Sequence, residues 1–119
     1  MAQNSILLDK SLLFAARIVK LNKYLTKEKK ETVIAKQIIR SATSIGANAN
    51  EAIYGQSKAD MLSKFEIALK ECSETEGWLQ MLYNTQDIDE ATFKKYRNLA
   101  GRIRRMLIAS CVTLKEHIK

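Results

Sequence analysis

The chain has 119 residues, no proline and four glycines, a composition that favours a single all-helical domain over residues 1–119. No apolar run approaches the roughly 20 residues that cross a bilayer, and the N-terminus lacks a signal-type segment, so we expect a cytoplasmic protein without a membrane partner. The formal net charge of +7 is concentrated at the two ends: residues 1–27 carry five basic residues and one acidic, residues 87–119 carry eight and four, and residues 57–86 carry three and five.

The first predicted helix runs from about Ile6 to Leu25, because apolar residues recur there at helical spacing. They form two adjacent lines: Leu8, Leu12, Ala15 and Val19, and Phe14, Ile18, Leu21 and Leu25. The charged run from Lys27 to Glu31 has no apolar member. It marks either the connection to the second helix or the exposed start of that helix.

The second predicted helix contains the stretch QIIRSATSIGANANEA, Gln37 to Ala52, in which an apolar and an uncharged polar stripe run side by side. The apolar stripe, a predicted core seam, is Ile38, Ala42, Ile45, Ala49 and Ala52. The polar stripe, flanking it, is Gln37, Ser41, Ser44, Asn48 and Glu51. We expect this stripe to meet another helix, of the same chain or of a second copy. The helix is predicted to end near Gly55 in the left-handed conformation.

The third predicted helix extends from Lys58 to about Tyr83, and Ser57 with Asp60 resembles a capping box at its start. Its predicted seam is Phe65, Ala68, Cys72, Thr75, Leu79 and Leu82, with Trp78 placed in the core. Glu71 and Glu74 lie close to the seam. We expect them to accept hydrogen bonds or ion pairs from Arg40, Asn48 or another helix.

A fourth helix follows Asp87 or Asp89, either of which can cap it. Its inner seam is Tyr96, Ala100, Ile103, Leu107, Ser110 and Leu114, while Met106, Ile108, Ala109 and Val112 make its second half apolar nearly all round. Together with Ile6–Leu8, this excess apolar surface predicts self-association. The alternative is that neighbouring helices of the same chain cover it.

Short connections between four helices predict an antiparallel up-down-up-down bundle, with the basic first and fourth helices adjacent. Lys10 contributes to this cationic side. The residues predicted to bind RNA or DNA are Arg17, Lys20, Lys23, Lys94, Arg97, Arg102, Arg104 and Arg105. Binding through them would be salt-sensitive and weakly specific. The alternative is that these are ordinary solubilising charges, and the sequence shows no clustered aromatic residues to stack on unpaired bases.

The chain shows no catalytic constellation, and we predict a non-enzyme without metal or cofactor. Cys72 and Cys111 are expected to be buried thiols, since no CxxC spacing is present. The only histidine, His117, lacks the Glu-x-x-His pairs of a di-iron bundle and is expected to be a solvated last-turn residue. Glycines within the predicted helices, interpreted as permitting close helix contact, are Gly46, Gly77 and Gly101.

Three segments closely resemble a family of bacterial four-helix bundle proteins named after the 23S rRNA intervening sequences that encode some members. These segments are Gln37–Ala52, Ser57–Glu71 and Glu74–Leu82. The family positions are Gln37, Arg40, Ser44, Ile45, Asn48, Glu51, Glu71, Glu74, Trp78 and Leu79. The family's usual Asn-Ile-Ala-Glu-Gly pattern is replaced here by Asn48-Ala-Asn-Glu-Ala.

The accessory variability determinant of diversity-generating retroelements is similar to this family. The resemblance implies a homopentameric barrel of bundles with a basic surface, and for the retroelement relative a role in binding nucleic acid and a reverse transcriptase. Two partner classes besides a second copy therefore stay open: RNA or DNA, and a protein partner for which the chain would act as a scaffold.

Overall fold

The computed structural model describes residues 2–118, and these form four helices and no strand. The helices are α1 (Ala2–Lys27), α2 (Val33–Ile53), α3 (Lys58–Asn84) and α4 (Glu90–Ile118). Each packs against its chain neighbours and α1 also packs against α4, whereas the diagonal pairs do not approach closely within the described residues. The molecule measures 48 × 21 × 20 Å. The predicted all-α four-helix bundle is confirmed, with α3 diagonal to α1.

Side chains at the helix starts explain three of the boundaries. Ser57 Oγ accepts a hydrogen bond from Asp60 N at 3.0 Å, as predicted. The Asp60 carboxylate accepts one from Gln56 N at 3.3 Å, one residue before the position used in a capping box. Asp89 caps α4 by accepting from Thr92 N at 2.8 Å. In the charged run before α2, Lys27 is the last residue of α1 and residues 28–31 belong to the connection, where Glu31 accepts a hydrogen bond from Ala35 N at 2.9 Å.

The prediction of a left-handed Gly55 is wrong, because no described glycine has a positive φ. The end of α2 is closed by hydrogen bonds from Tyr54 N to Asn50 O and from Gly55 N to Ala52 O. A Cβ atom at position 55 would lie 2.9 Å from Met61 Cγ and 3.0 Å from Ala52 O. Close approach, and not φ, therefore requires glycine at this position.

The core follows the predicted seams of α2 and α3, the middle of the α4 seam, and the α1 line of Phe14, Ile18, Leu21 and Leu25. The other predicted α1 line is wrong, since Leu12 is 53% exposed and Leu8, Ala15 and Val19 are only half-buried. The largest fully buried apolar side chains of the core are Phe14, Phe65, Leu7, Ile18, Leu25, Ile38, Ile45, Leu79, Leu82, Ile103 and Leu107. Burying each such side chain stabilises the fold by roughly 1.5–3 kcal/mol. Trp78 is only half-buried and packs at the edge of this core, so its predicted central position is wrong.

Two of the helical glycines differ in what surrounds them. A Cβ atom at Gly46 would lie 3.2 Å from Leu12 Cδ2, so this glycine does allow α1 and α2 to approach. At Gly77 a Cβ atom would meet nothing within 4 Å, and the predicted close contact is wrong within the described chain. None of the four described helices is long and apolar enough to cross a membrane.

Candidate nucleic-acid interface

Helix α4 carries arginines that line two surface grooves. The α1–α4 groove has a volume of about 190 Å³, and its basic residues are Lys10, Arg17 and Arg102. The α3–α4 groove has a volume of about 360 Å³, and its basic residues are Arg97, Arg102, Arg104 and Arg105. Because Arg102 borders both grooves, the cationic surface is continuous around the exposed side of α4. We call Lys10, Arg17, Arg97, Arg102 and Arg105 the basic face.

The adjacency of α1 and α4 is fixed by one aromatic residue. Tyr96 Oη donates a hydrogen bond to Arg17 O at 3.0 Å, and the Tyr96 ring lies 6.5 Å from the Phe14 ring at an interplanar angle of 60°. Burial raises the pKa of the Tyr96 hydroxyl, so it stays protonated and able to donate. This contact holds the backbone of Arg17 against α4.

The four arginines of the basic face form no ion pairs within the described chain. Within residues 2–118, no acidic side chain forms an ion pair with Arg17, Arg97, Arg102 or Arg105. The Arg97 guanidinium instead lies 5.1 Å from the centroid of the Phe93 ring. Cations of this kind remain available to a polyanion.

Two other predicted binding residues already have acidic partners. Arg104 Nε donates to Glu76 Oε1 at 3.0 Å, and Lys94 Nζ lies 3.5 Å from Glu90 Oε1. A phosphate at Arg104 would have to compete with Glu76. Of the remaining predicted residues, Lys20 lies in a cleft at the end of the bundle, and Lys23 is exposed but lines neither groove.

The family positions lie along the α2–α3 seam, away from the basic face. Arg40 Nη1 donates to Glu71 Oε2 at 3.2 Å, and Arg40 Nη2 donates to Glu74 Oε2 at 3.1 Å, which confirms the predicted ion pairs. Asn48 donates to Ser44 O at 2.8 Å and not to a glutamate, so that alternative is wrong.

The rest of the polar stripe is divided between core and surface. Ser41 is buried and accepts a hydrogen bond from Thr75 Oγ1 at 2.8 Å, within the chain. Glu51 lies 3.5 Å from Lys64 Nζ, and Gln37 is exposed. This seam is therefore closed by internal hydrogen bonds and ion pairs.

The two glutamates beside Arg40 have opposite pKa shifts. Desolvation raises the pKa of Glu71, and its contact with Glu74 raises it further. The hydrogen bond with Glu71 lowers the pKa of Glu74, as does the one with Arg40. Arg40, stabilised first by its hydrogen bond to Glu74 and then by the charge of Glu71, has a raised pKa. Two carboxylates thus engage Arg40, and the cluster presents no free cation.

Three tyrosines that are distant in the sequence lie close together in the structure. Tyr24, Tyr83 and Tyr96, from three helices, line one cleft of about 880 Å³ at the end of the bundle that holds the α1–α2 and α3–α4 connections. Tyr83 also stacks on Phe93, with centroids 4.7 Å apart and planes 7° apart. The expectation of no clustered aromatics is therefore wrong. The available signal was that each tyrosine lies near the same end of the predicted bundle.

The described residues contain no group of three or more His, Cys, Asp and Glu side chains that could hold a metal ion. Cys72 and Cys111 are free and buried, as predicted, and burial raises the pKa of the Cys72 thiol to about 12. His117 is exposed near the end of α4, where its Nδ1 lies 2.8 Å from Thr113 O.

Comparison with known proteins supports the same architecture. The chain is similar to a solved structure of a protein with unknown function from the S23 ribosomal protein family of Bacteroides thetaiotaomicron VPI-5482, with 46% identity and a TM-score of 0.90. The alignment covers 95% of this chain and 98% of that one. A comparison with curated proteins finds no match. The model of the 23S rRNA-intervening sequence protein family matches residues 3–109, and the chain belongs to this family.

Proposed function

We propose that the protein is a non-catalytic, oligomeric binding module that binds RNA or DNA non-specifically through its basic face. The observation that supports this proposal is that four arginines on two adjacent helices form no ion pair with a carboxylate of the described chain. They are Arg17 on α1 and Arg97, Arg102 and Arg105 on α4. The proposed setting is the cytoplasm, and no cofactor is required.

The physical basis is neutralisation of phosphates. Each arginine that contacts a phosphate releases condensed counterions, so affinity arises without recognition of base sequence and falls with rising salt. The guanidinium fork also suits bidentate phosphate contacts. The acidic residues of α3 do not cancel this surface, since the one carboxylate in the α3–α4 groove, Glu76, is engaged by Arg104.

Oligomerisation is part of the proposal, and the exposed apolar side chains support it. Leu12, Ile108 and Val112 are 53%, 40% and 50% exposed. Covering such residues with another copy would remove apolar surface from water. A homo-oligomer, a pentamer by family resemblance, would multiply weak phosphate contacts into useful avidity.

The test compares two triple charge reversals. Arg17→Glu/Arg102→Glu/Arg105→Glu removes three free arginines of the basic face, and Lys36→Glu/Lys58→Glu/Lys70→Glu makes the same charge change on α2 and α3. Arg104 is left intact because Glu76 already engages it. Fluorescence anisotropy with labelled RNA and DNA duplexes in low salt should show affinity reduced about 100-fold by the first variant and much less by the second.

Equal losses in the two variants would contradict the role of the basic face, since net charge alone would then explain binding. Circular dichroism should show the wild-type helix content in both variants, because all six side chains are exposed.

The second candidate is a scaffold for a protein partner, such as a reverse transcriptase, without a direct nucleic-acid role. The same exposed apolar side chains favour it, because a hydrophobic partner surface could cover them. This alternative requires that nucleic-acid binding be absent or independent of salt.

A further inference from the structure

The cleft at the connection end of the bundle has a cationic wall that continues the basic face. Lys10, Arg17 and Tyr24 follow one another at steps of seven on α1, which places them on one side of the helix at intervals of about 10.5 Å. Lys20 lies between Arg17 and Tyr24 and lines the cleft with Lys29 and Lys95. Within the described chain these three lysines form no ion pair with a carboxylate.

Tyr24 is the aromatic residue of this cleft whose ring is free. Tyr83 is stacked on Phe93, and Tyr96 is packed against Phe14 while its hydroxyl donates to Arg17 O. Tyr24 is 44% exposed, and among residues 2–118 its ring has no aromatic partner. An exposed tyrosine face beside lysines is the pairing that single-stranded nucleic-acid sites use: the ring stacks on a base and the cations contact the backbone.

The cleft is also lined by three acidic residues, and each of their carboxylates has a partner. Asp89 caps α4, Asp87 accepts a hydrogen bond from Thr85 Oγ1 at 2.7 Å, and Glu90 lies 3.5 Å from Lys94 Nζ. These carboxylates lie in the α3–α4 connection and at the start of α4 and repel phosphates, so a nucleic-acid backbone would follow α1, where Lys20 lies.

The cleft is also preformed. Its two connections contain the two described non-glycine residues with positive φ, Lys30 at 56° and Gln86 at 63°. Both connections are tied down, by Glu31 N donating to Leu25 O and by Asp87 N donating to Leu82 O, each at 2.9 Å. A preformed site requires little ordering when a ligand binds.

We propose that this cleft binds an unpaired nucleotide, stacking its base on Tyr24, while the phosphates of the same strand pass Lys20 and Arg17 onto the basic face. This inference rests on the proposed function and adds a preference for single strands. A duplex keeps its bases stacked inside and cannot offer one to the tyrosine without paying the unpairing energy.

The test replaces Tyr24 with alanine and uses Tyr54→Ala as the matched control. Tyr54 is 78% exposed and lies at the other end of the bundle, after α2. The probes are oligodeoxyadenylate of about 12 nucleotides, an abasic strand of the same length and a duplex. The abasic strand keeps the phosphates but has no base to stack.

Tyr24→Ala should weaken binding of oligodeoxyadenylate about 5- to 150-fold, the range expected for loss of one stacked base. Its affinity for the abasic strand and for the duplex should change less than about twofold, since backbone contacts are intact. Tyr24→Phe, which keeps the ring, should bind oligodeoxyadenylate as the wild type does. Tyr54→Ala should match the wild type on all three probes.

The inference would be overturned if Tyr24→Ala weakened binding of the abasic strand as much as that of oligodeoxyadenylate. It would also be overturned if Tyr54→Ala caused the same loss as Tyr24→Ala. If Tyr24→Ala has no effect while the reversal of Arg17, Arg102 and Arg105 abolishes binding, the stacking site is wrong and the proposed function stands. If the wild type binds none of the three probes, both are wrong.

Discussion

The α2–α3 seam and the α1–α4 seam of the bundle differ in how closely their helices pack and in whether their charged side chains are paired. Between α2 and α3 the helices pack most closely, Thr75 donates a buried hydrogen bond to Ser41, and Arg40 is engaged by two glutamates. Between α1 and α4 the packing is the sparsest of the four, and the Phe14 and Tyr96 rings lie 6.5 Å apart across the seam. One seam satisfies its polar groups internally, and the other leaves cations facing solvent.

In this small bundle, stability and binding therefore depend on different seams. Closely packed small residues and internally paired charges hold the α2–α3 seam together. Unpaired arginines contribute little to folding, because exposed charges far from carboxylates gain no ion-pair energy and repel one another. They are available for an external anion for the same reason. Mutations in the two seams should therefore have effects on different measurements.

The largest expected effect is on stability, in the buried core of α3. Leu79→Ala should lower the free energy of unfolding by about 3–5 kcal/mol, because a fully buried leucine leaves a cavity. Leu13→Ala, in the α1–α4 groove, removes a side chain that is 63% exposed and should cost less than about 0.5 kcal/mol. Urea unfolding followed by circular dichroism measures both; similar losses would show that the groove residue is buried in the protein in solution.

A smaller effect is expected at the buried hydroxyl pair. Thr75→Val keeps the side-chain shape but removes the hydrogen bond to Ser41, and should cost about 1 kcal/mol. Since Ser41 also donates to Ile38 O at 3.2 Å, its hydroxyl keeps one partner. In urea unfolding, the Ser41→Ala/Thr75→Val double variant should lose less stability than the two single variants added together. Strict additivity would mean that the two hydroxyls do not interact.

A change at Glu76 tests whether the ion pair with Arg104 limits duplex binding. Glu76→Gln releases Arg104 from its ion pair and removes one negative charge from the α3–α4 groove. Affinity for a duplex should rise a few-fold, and the slope of log affinity against log salt should steepen by about one unit. Glu74→Gln, on the other seam, should leave both quantities unchanged. Weaker duplex binding by Glu76→Gln would show that the ion pair positions Arg104 for phosphate.

The smallest expected effect is a pH dependence of stability at the Arg40 cluster. The folded-state pKa of Glu71 is raised above its ordinary value of 4.5, so its contribution favours the folded state while protonated and is lost as pH rises through the raised value. Glu74 has a lowered pKa, and its contribution is lost as pH falls below the ordinary value of 4.5. The two contributions oppose each other.

Glu71→Gln mimics the protonated glutamate, because its amide can donate to Glu74 at every pH. The melting temperature of Glu71→Gln minus that of the wild type should therefore be larger at pH 7 than at pH 4. Thermal melts followed by circular dichroism across this range provide the measurement. A wild-type-minus-variant difference that is constant with pH would contradict the raised pKa of Glu71.

Local patterns made most of the fold predictable from the sequence. The steps of three and four that end at Leu79 and Leu82 placed the α3 core correctly, and Ser57 with Asp60 marked the start of the helix. The ion pairs of Arg40 followed from placing polar residues beside adjacent seams. Periodicity and short-range hydrogen bonds determine these features, and both can be recognised in a single chain.

The features that were missed depend on which side chains meet across helices. Arg104 and Glu76 are 28 positions apart, and nothing in the local pattern separates Arg104 from its unpaired neighbour Arg105. The cleft around Tyr24 forms because three helix ends converge. Gly55 was assigned a left-handed conformation from the usual behaviour of glycine after a helix, whereas the position of Met61 decides its role.

The most direct test of the basic face is the salt dependence of duplex binding by the wild type and by Arg17→Glu/Arg102→Glu/Arg105→Glu. Three phosphate contacts by these arginines predict that the wild-type slope of log affinity against log salt is steeper than the variant slope by about three units. Identical slopes, or a wild-type affinity that does not change with salt, would contradict phosphate binding by the basic face.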